Sequence, residues 1–475
     1  MSLVRSVAHK EVKEIVRDGR LRLLGSIVVV LALTALAFGA QQTEKAQEDR
    51  EHARERSAKQ WEDQGDKNPH VAAHYGTHVF APTSVVTALD PGVSAYLGRS
   101  VKIEAHKRNL AAHSAAQDSA SLQRMGNFSV ATVLLQLVPL LIIALGHGLW
   151  SRERESGTLR QLISTGVSRG TLFWGKSIAL GLVIASLLIP AGIILVGTLW
   201  NMGGGDGQTL LRLGALFLSY SVYFTVFGGL TLYASAATAS SRAALVAMIG
   251  VWGIFCLIMP RAATELAGAA QPLPSEAQLA RDVKQSLAQG IDGKMDRDTA
   301  VEAIVSDMMA EQQLANTGML VMGSQINGIE LQAEAKYEDM VYDHHMIALD
   351  DQIQAQEKVV SWTGLLSPFI AMRTLSAGLS GTDFAHHRHF ADHAETWRKQ
   401  LVTKLNEDFA ANAGDEGWEY KAGPDLWKKI PPFEYSPPTV GFALKENLTS
   451  ILILVGWLLA ALGLALRSAK RVRVV

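Results

Sequence analysis

Six long apolar runs constrain the fold of this chain more than any other feature of its sequence. They lie at 23–40, 128–150, 177–200, 213–233, 243–259 and 448–466, and none contains Asp, Glu, Lys or Arg. About 18 to 20 apolar residues in a helix cross the hydrocarbon core of a membrane, where an unpaired charge is costly. The runs therefore predict a mainly α, polytopic membrane protein with six transmembrane helices.

The short flanks of these runs indicate the orientation of the protein. Lys and Arg close to a span are retained in the cytoplasm during insertion. Lys and Arg are abundant before the first run, between the second and third, and after the sixth. By contrast, Arg212 is the only basic residue of the short linker 201–212, whose other charged residue is Asp206. We therefore predict a multi-pass membrane protein with both termini in the cytoplasm.

Alternation of the spans then predicts the organisation of the whole chain. A cytoplasmic amphipathic elbow helix at 1–22 precedes TM1 at 23–40, extracytoplasmic insertion 1 at 41–127, TM2 at 128–150, a cytoplasmic linker at 151–176, TM3 at 177–200, TM4 at 213–233, TM5 at 243–259, extracytoplasmic insertion 2 at 260–447, TM6 at 448–466 and a cytoplasmic tail at 467–475. The large domain is therefore expected outside the cell membrane.

The two insertions are expected to form one mostly helical domain. The first begins with a charged stretch without Gly or Pro, so TM1 should continue outward as a stalk helix, and Ala111–Met125 should again be helical. In the second, Ser275 and Gln278 are spaced as a capping box, and a helix break is expected at 323–328. Cys256 is the only cysteine and lies in TM5, so packing alone must hold the domain together.

The segment 170–177 satisfies the letter pattern of a phosphate-binding P-loop. Such a loop must follow a buried strand and wrap its backbone N–H groups around phosphates. Here the segment precedes a membrane span and carries Leu, Phe and Trp between its glycines. No apolar strand ending in an acid is evident that could hold magnesium. We therefore predict that this chain binds no nucleotide.

Two groups of histidines are candidate metal ligands, since imidazole is a common ligand of zinc and copper. They are His70 and His74, with His78, in insertion 1, and His386, His387 and His389, with His393, in insertion 2. Pro69 and Gly76 argue against one regular helix presenting the first group, and Asp392 could pair with imidazoles of the second. Packing and hydrogen bonding is the favoured interpretation, with a metal site as the alternative.

Few residues in the spans are suited to chemistry. The spans contain no acid, and the chain has no zinc-protease histidine pair around Glu. Their polar side chains, among them Gln136, Tyr220, Tyr223 and His147, are expected to form hydrogen bonds between helices, and some could line a substrate path. The sequence therefore gives no support to a membrane enzyme.

Several of these segments together resemble one family. Lys10 and Glu11, followed by Arg17 and Asp18 ahead of TM1, resemble the membrane elbow of type-2 ABC exporter permeases. The linker residues Arg154, Glu155, Ser156, Gly157, Thr158 and Leu159, with Gly175 and Lys176, resemble the coupling-helix region of that superfamily. Segments 68–76 and 381–390 resemble a bacterial subfamily with two enlarged extracytoplasmic insertions of uncharacterised function. The likeness covers essentially the whole chain.

The resemblance implies a permease subunit of an ATP-driven ABC exporter or force-transmitting complex in the bacterial inner membrane. ATP and Mg²⁺ would bind to separate cytoplasmic ABC ATPase subunits, and this chain would carry no cofactor of its own. It would pair with a second copy or a related permease within the bilayer. An extracytoplasmic partner would be compatible with this arrangement, and nucleic acid would not be a partner. Glu155 would contact the ATPase, and Gly157 with Thr158 would form a tight turn or helix cap. The alternative is a membrane-anchored receptor whose His-rich domain senses a metal or another ligand.

Overall fold

The computed structural model describes residues 3–94, 96–112, 128–311 and 323–472, and these residues are predominantly helical. In chain order the helices are α1 Leu3–Arg17, α2 Arg20–Glu62, α3 Pro69–Tyr75, α4 Val130–Glu155, α5 Thr158–Ser164, α6 Arg169–Asn201, α7 Gly207–Ala237, α8 Ser241–Ala270, α9 Glu276–Gln289, α10 Arg297–Glu311, α11 Gly323–Thr363, α12 Pro368–Ser380, α13 Phe384–Asn412, α14 Pro424–Lys429, α15 Val440–Glu446 and α16 Leu448–Arg471. Six of them, α2, α4, α6, α7, α8 and α16, are long and apolar enough to cross a membrane. The prediction of a mainly α protein with six spans is confirmed.

Helix α7 lies at the centre of the membrane part. It packs against α4, α6 and α16, and α1 packs along α6. The short helix α12, which belongs to the second insertion, also packs against α7 and α16. Its Phe369, Ile370 and Met372 are buried in the same apolar core as the spans. The chain after the fifth span therefore contributes a helix to the membrane core as well as to the domain formed by the two insertions, which we call the outer domain after its predicted location.

Two spans contain a π-helical turn that ends two positions before a proline. In α4 the turn covers Val133–Leu137 and precedes Pro139, and in α8 it covers Ile254–Ile258 and precedes Pro260. Proline has no N–H to donate and its ring clashes with the carbonyl four residues earlier, so it disrupts the regular hydrogen-bond ladder. Backbone groups that are left free in a membrane need partners from neighbouring elements.

Neighbouring side chains supply those partners. In a regular α-helix the N–H of residue 139 would bond to the Leu135 carbonyl, and here the Tyr223 hydroxyl of α7 donates to that oxygen at 2.8 Å. The indole N–H of Trp252 donates to the Gln136 carbonyl at 3.0 Å. These bonds confirm the predicted interhelical role of Tyr223, and they link α4 to both α7 and α8.

The outer domain is built from both insertions. Its sheet has three antiparallel strands in the order β1 Thr77–Phe80, β2 Ser100–Glu104 and β3 Lys107–Arg108. Val79 and Ile103 of the sheet share an apolar core with Phe390 and Leu401 of α13 and with Trp427 of α14. One mixed core therefore joins two segments that are far apart in the sequence, as predicted for a single domain, although the sheet was not anticipated.

Other expectations about the insertions have mixed outcomes. The stalk is confirmed, because α2 continues without interruption from Arg20 to Glu62. The capping box at Ser275 is confirmed in part, since its hydroxyl accepts a bond from the Gln278 N–H at 3.2 Å at the start of α9. The expected break at 323–328 is wrong, because α11 is helical through this segment. The helix expected at Ala111–Met125 lies mostly outside the described residues.

Candidate functional site

The linker between the second and third spans turns at Gly157. This residue has φ of 76°, in the left-handed region that glycine adopts at no steric cost, and it is the N-cap of α5. The Thr158 hydroxyl donates to the Glu153 carbonyl at 3.2 Å and lies 2.8 Å from the Ser156 hydroxyl. The predicted turn and helix cap at Gly157 and Thr158 are therefore present.

Helix α5 has one buried side and one exposed side. Leu159 is buried against the membrane core, whereas Arg160, Gln161 and Ser164 are exposed. A short amphipathic helix of this kind is anchored by its apolar side and presents polar and basic groups to the solvent. Its exposed side is accessible to another protein.

Glu155 and Arg154 connect the linker to the start of the fifth span. The Glu155 carboxylate accepts bonds from the backbone N–H of Ser241 at 3.0 Å and from its hydroxyl at 2.9 Å. A carboxylate at this position complements the positive end of the α8 dipole and satisfies an N–H that the helix itself cannot. Arg154 donates to the carbonyl of Ala236 in the last turn of α7 and to that of Thr238 in the connection to α8.

A buried ion network joins the elbow helix α1 to α4 and α6. The ammonium of Lys176, which is fully buried, lies 2.6 Å from a Glu11 oxygen and 2.9 Å from a Glu153 oxygen. Lys10 lies 2.5 Å from the other oxygen of Glu153. Two cations and two carboxylates thus bind three helices together, and the Lys176 ammonium also lies 5.5 Å from the centre of the Trp150 ring.

The close contact between α1 and α6 depends on Gly175. A β-carbon at this position would lie 2.5 Å from a Val7 side-chain atom and 3.2 Å from the Val4 carbonyl oxygen. Only glycine therefore allows α1 to approach closely enough for Glu11 to reach Lys176. The letters of the apparent P-loop have a structural explanation: 170–177 lies inside α6, its glycine allows helix contact, and its lysine is held by two carboxylates.

The other elbow residues lie at the junction of α1 and α2. Asp18 accepts from Arg20 at 2.6 Å and from Arg152 at 3.0 Å. The hydrogen bond from Arg20 is the main reason why the pKa of Asp18 is lowered to about 2. Arg17 is exposed at the end of α1. Sequence reasoning selected Lys10, Glu11 and Asp18 but missed Glu153, whose charge gave no signal of its buried position.

In the outer domain, three histidines meet at one point. The Nε2 atom of His70 lies 3.1 Å from Nε2 of His74 and 3.4 Å from Nε2 of His106. Burial lowers the pKa of His70 to about 4, whereas a hydrogen bond with Glu338 raises the pKa of His106. Among the described residues, this is the group of His, Cys, Asp or Glu whose ligand atoms converge closely enough to hold a metal ion.

The argument from Pro69 and Gly76 is right for the three histidines together, because α3 ends at Gly76 and His78 lies on β1. It is wrong for His70 and His74, which α3 presents. Pro69 occupies the first turn of α3, where its missing N–H is of no consequence, and Gly76 ends the helix with a positive φ. His70 and His74 are therefore one helical turn apart on the same face, as their spacing of four requires. His106 was missed because it lies in the turn between β2 and β3, far away in the sequence.

The second group of histidines is arranged differently. His386 Nδ1 lies 2.5 Å from Asp383 and its Nε2 lies 3.2 Å from the guanidinium of buried Arg212. His389 Nδ1 lies 2.9 Å from the Tyr435 hydroxyl. The pKa of His387 is lowered by burial. These rings take part in separate hydrogen-bond contacts, and the structure does not bring their nitrogens together at one point.

A large apolar groove lies between the spans. Its volume is about 940 Å³, and it is lined mainly by aliphatic side chains of α2, α6 and α7, including Val28, Leu188 and Leu213. Tyr220 also faces the groove, although its hydroxyl lies 2.9 Å from that of Ser376. A lining of this composition suits hydrocarbon better than a hydrated ion.

Comparison with known proteins agrees with this architecture. Residues 5–473 match the model of the family described as ABC-2 family transporter protein. No curated protein matches the chain. The match extends over the elbow, the linker and all six spans, so the resemblance to type-2 ABC permeases is confirmed. The chain therefore belongs to the ABC-2 transporter family, as a membrane permease subunit.

Proposed function

We propose that this chain is the permease subunit of an ATP-driven exporter or force-transmitting complex of the cell membrane. It pairs with a second permease, either a copy of itself or a paralogue, and with two cytoplasmic ABC ATPases that bind ATP and Mg²⁺. Its own role is mechanical. The match to the ABC-2 family and the arrangement of the linker at 151–176 support this proposal.

The observation that carries the proposal is the combination of an exposed helix with rigid attachments. The exposed side of α5 offers Arg160, Gln161 and Ser164 to a partner. The residues preceding α5 are bonded to the start of α8 through Glu155, and those following it lead into α6, which is held to α1 and α4 by Lys176. A force applied to α5 therefore reaches several spans at once.

The mechanism follows from these attachments. When the ATPases close on ATP, they press on the exposed side of α5. Glu155 passes the displacement to α8, while the continuous helix α4 moves with the linker. The second and fifth spans tilt, and their π-helical turns at Val133–Leu137 and Ile254–Ile258 are the points where the helices bend most easily. This motion alters the interface between the two permeases and the outer domain above it.

Co-purification tests the proposal. A tagged full-length chain is expressed in its own host, and proteins that remain bound in mild detergent are identified by mass spectrometry. We expect an ABC ATPase with the wild-type chain and much less of it with Arg160→Glu, since the substitution reverses the charge of the exposed face. Lys470→Glu is the matched control, because Lys470 is an exposed basic residue in the last turn of α16.

The outcomes separate the alternatives clearly. Loss of the ATPase with Arg160→Glu and its retention with Lys470→Glu support coupling through α5. Equal amounts of ATPase with all three chains would contradict it. Absence of any ABC ATPase from the wild-type complex would contradict the proposed function itself.

A further inference from the structure

We propose that His70, His74 and His106 form a binding site for a divalent transition-metal ion in the outer domain, with Zn²⁺ as the best match. The three Nε2 atoms face a common point, and all three ligand atoms lie within 4.8 Å of one another. Neutral imidazole is a strong ligand for zinc and for Cu²⁺, and three histidines with one open position is an established arrangement for zinc. The proposal does not depend on the function of the permease.

The hydrogen bonds around the cluster direct the Nε2 lone pairs inward. His106 Nδ1 lies 2.5 Å from the Glu338 carboxylate, and His70 Nδ1 lies 3.3 Å from Asn406, oriented with its carbonyl oxygen facing the ring. Both acceptors place the ring proton on Nδ1. The Nε2 atoms of the neutral rings are then free to act as ligands, which is the usual arrangement of metal-binding histidines.

This arrangement of protons leaves two lone pairs facing each other. With their ring protons on Nδ1, the Nε2 atoms of His70 and His106 are both acceptors, yet they lie 3.4 Å apart. His74 can donate from its Nε2 to that of His70 at 3.1 Å, but no proton then lies between His70 and His106. A metal ion at the common point accepts a lone pair from each ring and removes the conflict.

The surrounding fold holds the three rings in place. His70 and His74 lie on α3, His106 lies in the β2–β3 turn, Glu338 lies on α11 and Asn406 on α13. His106 has φ of 64°, and it is the non-glycine residue with positive φ among the described residues. Such a conformation costs about 1–2 kcal/mol and persists only where the surrounding structure maintains it.

The site also has a route for the metal to enter. His70 is buried, His106 is partly buried, and His74 is exposed. The third ligand therefore lies at the surface, and water can occupy a fourth position next to it. A site with this geometry would bind its metal reversibly and would link insertion 1 to the helices of insertion 2.

Metal binding by the full-length chain tests the inference. The protein is purified in detergent, treated with a chelator, equilibrated with Zn²⁺, desalted and analysed for metal, and its affinity is measured by competition with a chromophoric chelator. We expect one Zn²⁺ per chain. His74→Ala is the main variant, because an exposed ring can be removed without opening the core. It should abolish stoichiometric binding, as should His106→Ala.

Two further variants make the result specific. Glu338→Gln should weaken binding by about 10- to 100-fold without abolishing it, because it changes the partner of His106 and keeps all three ligands. His52→Gln is the control, since His52 is an exposed histidine on the stalk α2. It should leave the stoichiometry and affinity unchanged.

The choice of metal has its own readout. Replacement of Zn²⁺ by Co²⁺ should give the intense visible absorption of a tetrahedral site, and this should be absent in His74→Ala. Tight binding of Cu²⁺ with only weak binding of Zn²⁺ would still support a metal site but would overturn the assignment to zinc. Failure of the wild-type chain to bind either ion, or equal binding by wild type and His74→Ala, would overturn the site.

Discussion

At the scale of single residues, Lys176 shows how position decides the role of a charge. In the sequence it completes the letters of a P-loop, but in the structure it is fully buried between Glu11 and Glu153. A buried ion network adds little stability over an apolar core, but removing one member leaves an uncompensated charge. The role of Lys176 is therefore to keep α1, α4 and α6 in one arrangement.

Substitution of Lys176 should reveal this dependence. We expect Lys176→Met to reduce the free energy of unfolding by about 3–5 kcal/mol, because Glu11 and Glu153 lose their shared cation. Glu11→Gln alone should cost less, since Lys176 keeps Glu153 at 2.9 Å. The double variant should recover part of the loss, because Lys10 still neutralises Glu153. Unfolding by SDS titration in mixed micelles measures all four proteins, and additive effects of the two substitutions would contradict a shared network.

The three histidines of the metal site show which of its residues the sequence alone could predict. The spacing of His70 and His74 was readable, because residues four apart share a helical face. His106 was not, because its approach to them depends on the β2–β3 turn and on the packing of both insertions. Glu155 was selected from the sequence as a linker residue that contacts the ATPase. Its bonds to Ser241 were not foreseen, because they join two segments that only the folded chain brings together.

At the scale of secondary-structure elements, prolines explain the irregular turns in the second and fifth spans. Pro139 and Pro260 each follow a π-helical turn, and a side chain from a neighbouring element donates to a carbonyl near each turn, Tyr223 of α7 to Leu135 and Ser367, the N-cap of α12, to Phe255. In the sequence Pro139 lies inside the second apolar run and Pro260 directly follows the fifth, but no local pattern could indicate which neighbours would satisfy the backbone. That depends on the packing of α7 against α4.

Tyr223→Phe tests this explanation. The substitution leaves the Leu135 carbonyl without its donor in a buried position, and we expect it to reduce the free energy of unfolding by about 1–3 kcal/mol. In a Pro139→Ala background the cost should be smaller, because the alanine N–H can bond to Leu135. SDS titration again measures the free energy of unfolding. Tyr233→Phe on the same helix is the control, because Tyr233 is partly exposed and its substitution should cost little. An equal cost of Tyr223→Phe in both backgrounds would contradict the role assigned to proline.

At the scale of the whole molecule, the number and type of spans were predictable because the membrane requires long apolar helices. The outer domain was predictable only in outline. Its mixed core needs contacts between residues near position 79 and residues near position 400, and no local pattern encodes such contacts. The burial of α12 among the spans was missed for the same reason.

The orientation of the molecule in the membrane can be tested by labelling introduced cysteines, because the sequence contains a single cysteine of its own. Cys256 is the only cysteine and it is buried, so the wild-type chain should react poorly with a membrane-impermeant maleimide. In intact bacterial cells we expect Ala58→Cys, on the exposed stalk, to be labelled. Gln161→Cys, on the exposed side of α5, should be labelled only after the inner membrane is permeabilised. Labelling of Gln161→Cys in intact cells would contradict the proposed topology.

The most direct test of the account is a photo-cross-link from α5 to its partner. A photoreactive phenylalanine analogue is placed at position 160 in the full-length chain, with position 58 on the stalk as the control, and the captured proteins are identified after irradiation. The account predicts that position 160 captures an ABC ATPase and that position 58 does not. Capture of no ATPase from position 160 of a folded, membrane-inserted chain would contradict the claim that α5 receives force from ATP hydrolysis.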